Sequence, residues 1–332
     1  MHEVDVPPAA TKSAGSLRRV VSAHTEEFLL AGVIVALIAV GGFLSPVFLS
    51  QYNITSVARQ VSFDVMPALG QLLAVLAAGI DLSIGAVIRL AQMVSILLVE
   101  RVPLPVAFLL VMACGAAVGL VNGLLVVKGR LEPFIVTLGT WTILDGLSLL
   151  VTGGRGIAAN VPDAFAYLGR GTVVGIPVPT LIAALVVIIM SVVIHRSSFG
   201  RQLFSVGSND LAAHYAGIKV ARVRVTVFML ASSLAALTGF IMAARTGAFQ
   251  PTTISSGGAG TELATIAAVV VGGARLSGGR GTVIGALLGA TLTGVLFSIL
   301  VLAGIDPYVQ SLILGLIILG ALLLSASRRS KS

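Results

Sequence analysis

The chain has 332 residues, of which 57% are hydrophobic and only 10% charged, and its mean hydropathy is +1.06. A water-soluble domain of this length carries more charge, so lipid is the solvent for most of the chain. The formal charge of +8 does not point to nucleic acid, because the basic residues stand singly between apolar runs and form no stripe interleaved with aromatics. The single cysteine, Cys114, sits inside an apolar run and offers no disulfide or metal framework within one chain. In lipid every backbone N–H and C=O needs an internal partner, which leaves helices or a closed barrel. The apolar runs are continuous, as over 173–194, and lack the period of two that barrel strands show. The expected fold is an all-α, polytopic transmembrane bundle without cofactor.

The first 26 residues are polar, with Pro7, Pro8, Lys12, Arg18 and Arg19, and read as a disordered cytoplasmic tail ahead of an uncleaved first helix. Ten candidate crossings follow, over 28–48, 57–79, 84–99, 104–127, 134–152, 173–194, 225–244, 262–274, 281–303 and 308–325, and a basic tail closes the chain at 327–332. Ten crossings put both termini on one side. With that side inside, 15 Lys and Arg fall in inner segments and 5 (Arg59, Arg101, Arg155, Arg170, Arg245) in outer ones, with Arg89 inside a crossing. Adding or removing a middle crossing inverts every later loop and destroys that asymmetry.

The third crossing begins at Gly79-Ile80-Asp81-Leu82-Ser83-Ile84-Gly85, which reads as one helix ending and the next being capped by Asp81 or Ser83. Half-helices meeting at membrane depth can also aim backbone dipoles at a substrate. Ionisable groups in the oily part are costly, so Asp64, Asp81, Arg89, Asp145 and Glu262 each need a partner or a wet cavity; for Arg89 the partner is Asp64 or Asp145. Structural ion pairs and a direct role in passage both remain open. Gln92, Asn122, Thr137, Thr140 and Thr142 supply the uncharged donors and acceptors that a neutral polyol path requires, although membrane Thr also bonds its own i−4 carbonyl. Small residues four apart form two ridges, Gly115/Gly119/Gly123 and Gly281/Gly285/Gly289, for tight packing inside the chain or a homodimer seam.

The basic inner loop 195–224 carries a short helix: Ser208-Asn209-Asp210 supply N-caps, 211–216 about two turns, and Gly217 the stop. Its alanines anchor poorly in lipid, which favours docking into a groove of another protein. Leu276-Ser277-Gly278-Gly279-Arg280 looks like a nucleotide-cassette signature, but no GxxxxGK[ST] loop occurs anywhere, so it reads as a glycine turn between two membrane helices. Gly153-Gly154-Arg155-Gly156 follows a helix and is no dinucleotide fingerprint.

Five stretches in order, GIDLSIG (79–85), GLVNGLLV (119–126), EPFIVTLGT (132–140), FGRQLFSVGSNDLAAHYAGIKVARVR (199–224) and ELATIAAVVVGGARLSGGRGTVIGALLGA (262–290), resemble the permeases of ribose-type ABC importers. The resemblance implies a multi-pass inner-membrane permease, homodimeric or heterodimeric. Its partners would be cytoplasmic ATP-binding cassettes, which hold the ATPase site that this chain lacks, and a periplasmic sugar-binding protein. The same resemblance implies that 207–218 is the coupling segment, with Asn209, Asp210, Ala212, Ala213 and Gly217 against the cassette. Arg89 departs from that family's pattern after GIDLS. Other readings of the residues are an ion-coupled secondary transporter using a buried carboxylate, a non-transporting membrane scaffold or sensor, and a permease for a nucleoside or polyol.

Overall fold

The computed structural model describes residues 25–251 and 260–306 and scattered positions from 309 to 320. The tails at 1–26 and 327–332 lie outside the described residues apart from Thr25 and Glu26, and so does most of the run 308–325. The helices are α1 (Thr25–Leu44), α2 (Gln51–Leu76), α3 (Ile84–Leu98), α4 (Leu104–Lys128), α5 (Pro133–Thr152), α6 (Asp163–Arg170), α7 (Val178–His195), α8 (Ser198–Ser208), α9 (Asp210–Tyr215), α10 (Val220–Thr246), α11 (Thr261–Val271) and α12 (Val283–Leu302). Two-residue strands β1 (Ile157–Ala158) and β4 (Ala248–Phe249) pair antiparallel, as do β2 (Thr172–Val173) and β3 (Ile176–Pro177). Among the described residues the fold is all-α apart from these stitches.

Six helices among the described residues, α1, α4, α5, α7, α10 and α12, are long and apolar enough to cross a bilayer. At 26 residues α2 is about 39 Å long; Arg59, Gln60, Asp64 and Gln71 dilute its hydropathy. The short helices α3 and α11 pack inside, where length matters less than cover: every residue of α3 from Ile84 to Ala91 is buried. The run 173–194 does not start as helix, because Val174 and Gly175 take positive φ (50° and 80°) and turn β2 into β3; α7 starts at Val178, with Pro179 at its second position.

The centre is α10, packed on α2, α3 and α4. Its partner faces are lined with glycine. A Cβ on Gly115 would meet Ala236, on Gly119 the Phe228 carbonyl and Met229 Cα, and on Gly123 the backbone of Val225. The second ridge seats α12 on α11, with Gly285 against the Gly272 carbonyl and Gly289 against the Ala268 carbonyl. Both ridges are therefore used inside the chain, where close backbone approach supplies the dispersion that lipid cannot. Large apolar side chains on α1, α4, α5 and α7, such as Val35, Leu109, Ile143 and Ile188, point outward, as expected for helices bathed in hydrocarbon.

Candidate functional site

Three polar features interrupt the apolar bundle. The first is the break between α2 and α3. Helix α2 ends as Ala78 takes φ 58° and the Gly79 N–H donates to the Ala74 carbonyl at 2.9 Å. Asp81 then turns back on itself: its Oδ1 accepts from the Ser83 N–H at 2.8 Å and the Ser83 hydroxyl at 2.6 Å. The Asn122 amide on α4 donates to Ser83 Oγ at 2.9 Å, and the Thr140 hydroxyl on α5 donates to Asn122 Oδ1 at 2.6 Å. Thr137 Oγ1 accepts from the Leu82 N–H at 3.0 Å and lies 2.9 Å from the Pro133 carbonyl. Asp81, Ser83, Asn122 and Thr137 are fully buried, so this chain of bonds closes backbone and side-chain groups that lipid would leave unpaired. Asp81 Oδ2 is buried with no hydrogen-bond partner.

Around Arg89 lies the second feature. Asp145 on α5 grips it with both oxygens, Nε at 2.9 Å and Nη2 at 3.1 Å, and Glu262 on α11 takes Nη2 at 3.2 Å. The Trp141 indole N–H, one turn before Asp145, donates to Asp145 Oδ2 at 2.7 Å. The Arg89 and Glu262 side chains are 11% and 1% exposed, a burial that only pairing makes tolerable. Glu262 reaches Arg89 across Gly85, where any Cβ would collide with the carboxylate. Of the two acids read as partners for Arg89, the fold selects Asp145 and adds Glu262; Asp64 stays on α2 with Gln60 at 3.1 Å. Trp141 is absent from a reading that looks only for charges, although its i, i+4 spacing to Asp145 marks it. Gln92 Nε2 donates to the Ala248 carbonyl at 3.0 Å and Thr246 Oγ1 at 3.3 Å, at the far end of α10. Thr142 bonds its own-helix Leu138 carbonyl at 3.1 Å on an exposed face.

At the opposite end of α10, helices α8 and α9 form the third feature. Sequence reading expects one short helix in a loop at 195–224; the chain instead folds two, because the Ser197 hydroxyl caps α8 at the Gly200 N–H (3.1 Å). Helix α9 is capped by Asn209, whose Oδ1 accepts from the Ala212 N–H at 2.9 Å, and Gly217 stops the turn with φ 83°. Ala213 is 4% exposed and faces the core, whereas Leu211 and Tyr215 are 61% and 81% exposed beside Asn209, Asp210, Ala212 and Gly217. Asp210 is tied to Arg224 at 3.1 Å. Behind this face Gly207 abuts the Leu76 carbonyl, and the Gly279 N–H donates to the same carbonyl at 3.1 Å. The glycine turn 276–279 is thus wedged between α8 and the end of α2. Beside α9 a cavity of about 850 Å³, lined by residues including Gly79, Arg130, Glu132, Asp210 and Lys219, opens toward the α2–α3 break.

Apolar spanning helices, a mostly bonded polar seam within them and a seated helix presented at one face define a multi-pass membrane permease. The chain belongs to the family described as the permease component of the branched-chain amino acid transport system, which matches residues 53–322. It is 40% identical to the ribose import permease of Bacillus subtilis over 296 residues, covering 88% of this chain and 90% of the relative. The D-allose transport permease of Escherichia coli is 33% identical, with 88% and 89% covered, and the fructose import permease of Rhizobium meliloti 34%, with 86% and 81% covered. No solved structure matches the chain. The protein is thus a multi-pass protein of the inner, or plasma, membrane.

Proposed function

We propose that this chain is the membrane subunit of an ATP-driven importer for a monosaccharide, a ribose-like pentose or a hexose. The family's description names amino acids, but the relatives above are named for ribose, allose and fructose, and the sugar reading rests on them. In this reading the chain crosses ten times, counting α2, α3, α11 and the run 308–325, with both termini and α9 cytoplasmic. It pairs with a second copy, two cytoplasmic ATP-binding cassettes and a periplasmic sugar-binding protein. ATP is bound and hydrolysed by the cassettes; the permease halves rock between outward and inward openings.

One observation carries the coupling: α9 is capped at both ends, seated on the core by Ala213, and leaves Leu211 and Tyr215 largely exposed. An exposed apolar pair on a rigid two-turn helix is a knob for a partner's groove. Asn209 and Gly217 hold its shape, Asp210 and Ala212 flank the knob, and Ala213 is its seat. Asn122, Thr137, Thr140, Gln92 and Thr142 remain candidates for the sugar path.

Vesicles holding the chain with its cassettes test this. Tyr215→Asp and Leu211→Asp each abolish ATP-driven sugar uptake while insertion and folding are unchanged, and unchanged uptake in both removes the assignment. The buried Asp81 and Glu262 and the half-buried Asp64 support a second reading, an ion-coupled carrier. It requires gradient-driven uptake by the purified chain alone in proteoliposomes, where the importer gives none.

A further inference from the structure

Between α1, α2, α7 and α12 lies a cavity of about 690 Å³ whose lining contains no charged residue. Its four polar side chains are all engaged within the protein. The Asn53 amide donates to the Phe48 carbonyl at 2.8 Å and accepts from Ser298 at 3.2 Å. Ser62 Oγ lies 2.6 Å from the Ala58 carbonyl and 3.0 Å from Thr180 Oγ1, and the Thr291 hydroxyl donates to the Leu287 carbonyl at 2.8 Å. The wall therefore presents carbon. A sugar would find few open donors or acceptors there, and a water needs two to four polar partners.

Emptiness is also costly. In aqueous surroundings an apolar void stays dry because water will not enter it. Here three of the four walls, α1, α7 and α12, are spanning helices, so the surrounding solvent is itself fluid hydrocarbon. Leaving the space vacant would forfeit dispersion contacts on every lining atom, a loss that outweighs the ordering of one flexible hydrocarbon chain. The neighbouring helix α1 needs such a filler. Its packing on the rest of the bundle runs through α12, with the Phe48 ring after its end pressed on Gly41 and joined to Val295 and Ile299.

We propose that this cavity binds one acyl chain of a bilayer phospholipid, which fills the gap between α1 and the α2–α7 wall. The site depends only on the chain being in a membrane and is independent of the transport reading. Native mass spectrometry of the full chain in mild detergent tests it. The wild type retains about one phospholipid per chain. Ala184→Trp or Ala58→Trp, which put an indole into the cavity, weaken phospholipid binding at least about tenfold, the loss of roughly two methylene contacts, and lower the retained fraction. Leu185→Trp, on the exposed neighbouring position, leaves it unchanged. Equal retention in all three variants, or none in the wild type, overturns the proposal, as does loss of a dimer with no loss of lipid, which assigns the cavity to a second copy. Should both cavity variants misfold, the delipidated wild type decides: phosphatidylglycerol with sixteen-carbon chains raises its melting midpoint and the six-carbon form at equal headgroup concentration does not. Equal rises from both overturn the site.

Discussion

The α2–α3 break and the α8–α9 segment are both short interruptions between long apolar helices, and each carries a carboxylate, Asp81 bonded to Ser83 in the break and Asp210 paired with Arg224 in the segment. Around the break, every polar atom but a few is spent on a neighbour: Asp81 on Ser83, Ser83 on Asn122, Asn122 on Thr140, and Arg89 on two carboxylates. In α8–α9 the caps close the helix ends and the side chains beyond them stay open, with Asp210 and Arg224 53% and 31% exposed. The surroundings explain the contrast. Hydrocarbon penalises each unpaired group by several kcal/mol, so the break persists as a network in which most groups are paired, while water at the bundle's end lets the segment keep a free surface.

The same chemical change in the two regions sharpens this. Arg89→Met strands Asp145 and Glu262 and costs about 3–5 kcal/mol, read as a lower melting midpoint in detergent, with partial recovery in Arg89→Met/Glu262→Gln. A similar loss for Arg224→Met would erase the distinction. Gly119→Val pushes α4 off α10 at the Phe228 carbonyl and lowers stability by about 1–3 kcal/mol, whereas Gly139→Val, where no atom lies within 4 Å, changes it little. Thr140→Val removes the donor to Asn122 and costs about 1 kcal/mol. The smallest effect is Arg224→Met itself, below about 1 kcal/mol and shrinking further with added salt, because the pair is wet.

Much of this architecture can be read before any coordinates. Continuous apolar runs locate the long helices, and Asn209 and Gly217 mark both ends of α9 to within a residue because capping is local chemistry. Glycines four apart announce that backbones meet, though only the fold shows that α10 and α11 are the partners. What escapes is long range. Arg89 meets acids 56 and 173 residues away, and no spacing rule selects Asp145 over Asp64. Helix α8 is hidden by its glycines and serines, and the β2–β3 turn is hidden inside an apolar run because Val174 adopts a conformation that β-branched residues rarely take. The pairing of two residues from distant helices is a tertiary fact, and composition is silent on it.

Trp141 is the single tryptophan of the chain, and its indole N–H is held by Asp145, the same carboxylate that holds Arg89. Tryptophan fluorescence of the unlabelled protein, excited to the red of its four tyrosines, is therefore a spectroscopic reading of one ionic cluster, with no second indole to subtract. Any step of a working cycle that loosens α5 from α3 changes the polarity around that ring and shifts its emission in real time.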